Sequence, residues 1–449
     1  MKMNVRSVSF ACSFLAAAIG LSLAGCNSPS SNPLAAVQAA QAKNVGNFSN
    51  TIFLGDSLTA GYQSGSLLDT AQVHGWANLV ATQAAFNISL PLIAPPGAPS
   101  VLELVSVGPP PVIVTTPGTT TGRDNPATQA TDLAVPGAFV NDVVNTVPLA
   151  NPAPGQQQIN QLVLGFPGLG FGEALSQAGF AIKAQPTTIF LWIGNNDALI
   201  ADITGMPSSM TSLANFTTQY QTLITQLTSL TPAHLVIANI PDVTQVPYLT
   251  PAAVVLAEVS EETGGTIPIP VLSALLGISP GDFVNPTGLA EIPLILGGKQ
   301  QGPIDDAGVL SAAEVVTVQA QVVAFNQVIA AQAKAANATL VDINALFAKT
   351  VSSGLTINGF TGTASFLGGF FALDGIHPTN TGYAVVANAF IDTMNSSINT
   401  KIPDVPLGPV AAADPFWPPN LVAVPGLRRP MAIPANAGKS IDTLMLGKR

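Results

Sequence analysis

Strand-like apolar runs at residues 51–54, 133–135, 188–193, 235–240 and 339–343 recur along the chain, with helical patterns between them. No other feature constrains the fold as much. Strands joined by helical crossovers pair in parallel, and a parallel sheet needs cover on both faces. The helical patterns lie at 71–85, 211–230, 311–336 and 380–394. In the third, Ser311 and Glu314 make a capping box, and Val315, Val318, Val322, Phe325 and Ile329 repeat at helical spacing. The expectation is an α/β domain over residues 48–400, a sheet between two helical layers. Two stretches break the rhythm and read as insertions. Residues 95–129 are rich in Pro, Gly and Thr, and residues 250–308 mix apolar and acidic residues with Pro and Gly. The second follows a strand at its carboxyl end, where open α/β sheets bind ligands, so it is expected to form a cap over a binding pocket. The Pro-rich tail, 401–449, reads as irregular, either wrapping the domain or moving freely.

The first 25 residues read as an export signal. Lys2 and Arg6 precede an uncharged apolar run, 7–22, that ends in Leu23-Ala24-Gly25-Cys26 before the sequence turns polar. The pattern resembles a bacterial lipoprotein signal, cleaved before Cys26 so that the thiol takes a lipid. Residues 26–47, rich in Ser, Asn, Pro and Ala, then read as a tether. The expected address is the cell envelope. The outer membrane is favoured in a cell that has one, because Asn27 rather than an aspartate follows the cysteine. No later stretch is apolar for the roughly 18 residues of a membrane span. Without Lys2 and Arg6 the chain keeps 12 basic against 24 acidic side chains, a balance that argues against nucleic-acid partners. Cys12 leaves with the signal, so the two cysteines offer neither a disulfide framework nor a thiolate metal site.

The first strand runs into Gly55-Asp56-Ser57-Leu58, which sets a serine at a strand's carboxyl end, ahead of an expected helix. A hydroxyl becomes a good nucleophile when a neighbouring base takes its proton. The chain has three histidines to supply that base. His74 falls inside a helical pattern and His234 opens a strand, so both read as packing or turn residues. His377 stands in Asp374-Gly375-Ile376-His377-Pro378, where a carboxylate three residues ahead can fix the imidazole's tautomer. Donors for an oxyanion have two sources. One is Asn196 in Gly194-Asn195-Asn196-Asp197, after the most apolar strand; the other is Gly137, which ends Asp132-Leu133-Ala134-Val135-Pro136-Gly137. Taken singly, Asp374 equally caps a turn, Asn196 caps a helix and Gly137 is a plain turn glycine.

Together, these blocks in this order resemble the GDSL family, also called SGNH hydrolases, across roughly residues 50–395. Ile240-Pro241-Asp242 and Gly382-Tyr383 add to the match. The resemblance implies a three-layer α/β/α flavodoxin-like fold. It makes Ser57 the nucleophile, His377 the base and Asp374 the orienting carboxylate, with an oxyanion hole of the Ser57 backbone N–H, Gly137 and Asn196. One position departs: the second block often begins with Asn, and Asp132 stands there.

The expected activity is hydrolysis of carboxylic esters through an acyl-serine, with no metal or cofactor. Acyl lipids are favoured as substrates by the apolar composition and the lipid tether. A carbohydrate deacetylase and an acyltransferase use the same triad, and a binding lipoprotein is the non-enzymatic alternative.

Overall fold

The computed structural model describes residues 33–108, 110–167, 174–421 and 431–446. The signal, with Cys26 and the start of the tether, lies outside the described residues.

The central sheet holds four parallel strands in the order β1 (Thr51–Gly55), β2 (Thr188–Trp192), β3 (His234–Ala238) and β4 (Thr339–Val341). Residues 133–135, expected as a strand, belong to a partial one over 131–135. The Phe53 N–H donates to the Thr131 carbonyl, and the N–H groups of Leu133 and Val135 donate to those of Phe53 and Gly55. Counting that segment, the five strands in chain order lie 2-1-3-4-5 across the sheet, the flavodoxin-like order. The expected fold class is the one observed. Every residue of β1, β2 and β3 is buried. A strand covered on both faces has no polar alternation, which is why these strands read as unbroken apolar runs.

Alternate residues of each strand enter two separate cores. Ile52, Leu54, Ile189, Leu191, Leu235 and Ile237 face one, shared with the helices Leu213–Leu230 and Ala312–Ala335. Phe53, Phe190, Trp192, Val236 and Val341 face the other, where the helices Trp76–Gln83 and Asn380–Ser397 pack. There Phe53 stacks on Phe190 at 4.7 Å and Trp76 on Phe390 at 3.9 Å between centroids. Truncating such a buried aromatic to alanine costs about 3–5 kcal/mol, so this layer fixes the sheet firmly.

Two expectations need correction, and the tail takes one of its two expected courses. The pattern at 71–85 is two helices, Asp69–Gln72 and Trp76–Gln83, because Gly75 turns extended at their junction. There the backbone of Gly61 lies 3.0 Å from where a Cβ on Gly75 would stand, and the close approach leaves no room for a continuous helix. Part of the tether is the helix Pro33–Lys43, tied down by Gln41 and Asn44, whose amides donate to the carbonyls of Thr228 and Pro232. The described tail wraps the domain and buries Trp417, Leu421, Ile433, Ile441 and Leu444.

The insertion at 250–308 folds into the helices Ala252–Glu262, Ile269–Leu276 and Pro286–Leu296 beside a short three-stranded sheet. It has its own core, in which Val255, Leu256, Leu272, Leu276 and Ile292 meet. The insertion at 95–129 carries the antiparallel pair Leu102–Ser106 and Val112–Thr115.

Candidate active site

Ser57 leaves the carboxyl end of β1 in a run of turns, where a helix was expected. It stands at the point where the chain's order across the sheet reverses, between the partial strand and β2. Two buried side chains hold that end of β1. The Gln177 amide reads Gly55 from both sides, accepting from its N–H at 2.9 Å and donating to its carbonyl at 2.9 Å. Asp56 accepts from the Leu58 N–H at 3.0 Å and from the Asn195 amide at 2.9 Å. Burial raises the Asp56 carboxyl to about 6 against the pull of those hydrogen bonds.

The loop from Asp374 to His377 closes on itself, the Ala372 N–H donating to the His377 carbonyl at 2.8 Å and the Gly375 N–H to the Ala372 carbonyl at 3.0 Å. His377 thereby comes to Ser57 across the sheet's end. Its Nε2 is 2.7 Å from the Ser57 Oγ, and its Nδ1 is 3.0 Å from Asp374 Oδ2. Asp374 is wholly buried, which alone would raise its carboxyl. The charge and N–H of His377 and the backbone N–H groups of Ile376 and His377 outweigh burial and hold it below the ordinary value. Oδ2 also accepts from the Gly65 N–H at 2.7 Å. An ionised Asp374 only accepts, so the Nδ1 proton faces it and Nε2 is left to accept from the serine hydroxyl. Tyr62 backs the imidazole at 4.6 Å between ring centroids.

Asn196 opens the helix Asn195–Thr204, which leaves β2 through Gly194 at a φ of 115°. One amide hydrogen of Asn196 donates to the Ala138 carbonyl at 2.8 Å. An amide has two, so a second remains for a ligand. Its neighbour Asp197 accepts from the Val140 N–H at 3.0 Å and the Thr211 hydroxyl at 2.7 Å, and burial pushes its carboxyl up to about 7. The start of this helix therefore grips the loop that carries Gly137 at two points. Gly137 has a φ of 75°, a conformation that disfavours any side chain.

Asp132, the departure noted in the sequence, is buried. Oδ1 accepts from the Ala134 N–H at 3.1 Å, Oδ2 meets no protein donor, and burial pushes the carboxyl up to about 8. Burial thus favours its uncharged form at neutral pH.

A cavity of about 100 Å³ opens beside Ser57. Its wall comes from the end of β2 (Trp192) and the helix after it (Asn195, Asn196, Leu199), the loop after β3 (Pro241, Val243, Val246), the helix Ile343–Ser353 (Ile343, Leu346, Phe347, Thr350) and residues 370–386. Among the described residues, no charged side chain lines it. No residue of 250–308 lines it either, so the expected cap does not shape this pocket. That insertion spends its apolar residues on its own core.

Of the expected site residues, Ser57, Asp374 and His377 form one hydrogen-bonded chain, and Ser57 and Asn196 share the cavity wall. His234 sits at the amino end of β3, its Nε2 2.9 Å from the Thr339 hydroxyl, and His74 is exposed. Gln177, Asn195, Asp197, Tyr62 and Gly65 went without a role in the sequence reading. Asn195 and Asp197 lay inside a motif already singled out, whereas Gln177 reaches β1 from a distant helix with no local signal. Among the described residues no three His, Cys, Asp or Glu side chains gather as a metal site.

Residues 52–390 match the GDSL-like lipase/acylhydrolase family. The chain belongs to that family. It is a carboxylic-ester hydrolase. No curated protein sequence matches the chain significantly. Among solved structures, an acetylxylan esterase from Geobacillus stearothermophilus is similar at 12% identity and a TM-score of 0.36, over 78% of this chain and 96% of that one. A phospholipase A1 from Streptomyces albidoflavus is similar at 14% identity and a TM-score of 0.31, over 78% and 98%. Likenesses this loose carry no information about substrate.

Proposed function

We propose that this GDSL-family hydrolase cleaves esters of apolar acyl chains through an acyl-serine intermediate on Ser57. The observation that carries the reading is the uncharged cavity beside a serine whose Oγ is 2.7 Å from an imidazole oriented by a buried carboxylate. Ser57 Oγ attacks the acyl carbonyl and its proton passes to His377 Nε2. The alcohol leaves with that proton. Water then gives a proton to the same nitrogen, its oxygen attacks the acyl carbon, and the acid departs as Ser57 recovers the proton. Asp374 holds the imidazole in the required tautomer and stabilises the imidazolium. The Ser57 and Gly137 N–H groups and the Asn196 amide stabilise the oxyanion. An acyl chain finds leucine, valine and phenylalanine along most of the wall, whereas the many hydroxyls of a sugar would meet only the few polar groups of Asn195, Asn196 and Thr350.

The enzyme acts at the cell envelope, held by lipid on Cys26 and favouring the outer membrane where one exists. Support for this lies in Leu23-Ala24-Gly25-Cys26 behind an uncharged apolar run.

The activity is tested on p-nitrophenyl esters of graded length beside acetylated xylose oligomers. Preference for medium or long acyl chains is expected, and activity confined to the acetylated sugars would overturn the acyl-chain assignment. For the anchor, Cys26→Ser should abolish labelling by a fatty acid and release the protein from membranes. An unlabelled wild type would refute it.

A further inference from the structure

The described end of the tail, residues 431–446, does more than cover apolar surface. Three of its side chains touch three loops of the site, each at a glycine. Leu444 lies against Gly137, its Cγ 3.1 Å from where a Cβ on that glycine would stand. Ser440 lies against Gly65, the N–H donor to Asp374, with its Oγ 2.7 Å from the corresponding point. Ile433 lies against Gly375, between Asp374 and His377, with its Cδ1 2.7 Å away. No side chain separates the tail from the backbone at any of these points.

Both insertions hold the segment there. The Asn436 amide donates to the Ile113 carbonyl at 2.8 Å, within the 95–129 insertion. The Ala432 N–H donates to the Glu258 carboxylate at 3.2 Å, and Pro286 seats against Gly438, both within the 250–308 insertion. Ile433 and Ala437 share a core with Leu102, Ile113 and Leu373, the residue before Asp374. None of the segment's residues lines the cavity.

We propose that residues 431–446 are a strap that positions the catalytic loops, with Leu444, Ser440 and Ile433 as positioning residues and the two insertions as its moorings. The proposal rests on the serine-hydrolase reading above. A strap that presses on the Gly137, Gly65 and Asp374–His377 loops, yet stays out of the cavity, should govern turnover rather than substrate binding. Misplacement of reacting groups by a fraction of an ångström to an ångström lowers rate steeply.

The test uses the full chain, with kcat and KM on p-nitrophenyl butyrate measured per site titrated by a fluorophosphonate. Leu444→Ala is expected to lower kcat about tenfold with KM within about twofold, and Leu444→Met to restore kcat to within about twofold. Leu444→Val, a smaller trim that folds if the alanine variant does not, is expected to lower kcat about threefold. Leu227→Ala removes the same buried side chain near the amino end of the sheet, and is expected to lower thermal stability while kcat per site stays unchanged. Wild-type kcat per site in folded Leu444→Ala or Leu444→Val, or an equal fall in Leu227→Ala, would overturn the strap. Failure of the serine-hydrolase reading would show itself separately, as hydrolysis by Ser57→Ala at the wild-type rate.

Discussion

The cavity wall and the strap meet the loops of the Ser57–His377–Asp374 chain from different parts of the sequence. The wall is drawn from the ends of β2 and β3, the helices Asn195–Thr204 and Ile343–Ser353 and residues 370–386, parts of the α/β frame itself. The strap side is drawn from the two insertions and the tail. The wall is apolar and open to a ligand; the strap is packed against backbone and admits none. On the proposed reading, substrate choice lies in the frame, and the added segments act on the geometry of the reacting groups. An insertion at the active-site end of a sheet need not be a lid.

Residues common to both sides should show the largest effects. Ser57→Ala and His377→Ala are expected to lower ester turnover by several orders of magnitude with the fold intact. Asp374→Asn should cost on the order of 10³–10⁴ through the wrong tautomer and a less stable imidazolium. The losses should not add, which a double variant measured beside the singles will check.

Asn196 lines the cavity and holds the Ala138 carbonyl, next to the Gly137 against which Leu444 packs. Asn196→Ala should lower kcat by roughly 10²–10³ with little change in KM. A fall in thermal stability with an unchanged kcat per titrated site would reduce Asn196 to a brace for the Gly137 loop.

The wall alone should set chain-length preference. Leu346→Trp fills part of the cavity, and kcat/KM for a dodecanoyl ester should fall about tenfold relative to acetate, a shift of about 1.4 kcal/mol. An equal shift from Leu444→Ala would erase the distinction between the two regions.

The last effect is on stability rather than turnover, and it concerns pH. Asp132 has its folded value raised to about 8 from an ordinary 3.8. Between those values the unfolded chain has released a proton that the folded chain keeps, so stability attributable to this group falls as pH rises. It is fully present below the unfolded value and lost as pH climbs through the folded one. Asp132→Asn removes that slope. Wild type should lose stability relative to the variant from about pH 4 to about pH 8, with parallel curves above, as followed by urea denaturation. A constant difference across that range would mean that Asp132 is ionised in the fold.

The main strands and the triad were legible because their signals are local. A strand buried on both faces must be apolar throughout, and Asp374 orients His377 from three residues away. Other parts left no such trace. The helix Asn195–Thr204 is buried along nearly its whole length, so it shows no amphipathic period to read. Of the partial strand at 131–135 only residues 133–135 showed as an apolar run; the N–H groups of Thr131 and Asp132 donate to the Ser89 carbonyl, a pairing with no local signal. The strap's information is spread over pairs such as Leu444 with Gly137 and Ser440 with Gly65, far apart in sequence and marked only by the lack of a side chain. The insertion at 250–308 showed apolar residues fit for burial, but nothing in their order says whether a neighbour or a ligand covers them.

The central claim is that Ser57 carries the acyl group while the apolar wall receives the chain. Its most direct test is the mass of the enzyme quenched during turnover of p-nitrophenyl octanoate at low pH, followed by peptide mapping. The account predicts one octanoyl group on the peptide bearing Ser57, formed with a burst of nitrophenol and absent from Ser57→Ala. Steady hydrolysis by folded Ser57→Ala, or an acyl group on another residue, would contradict it.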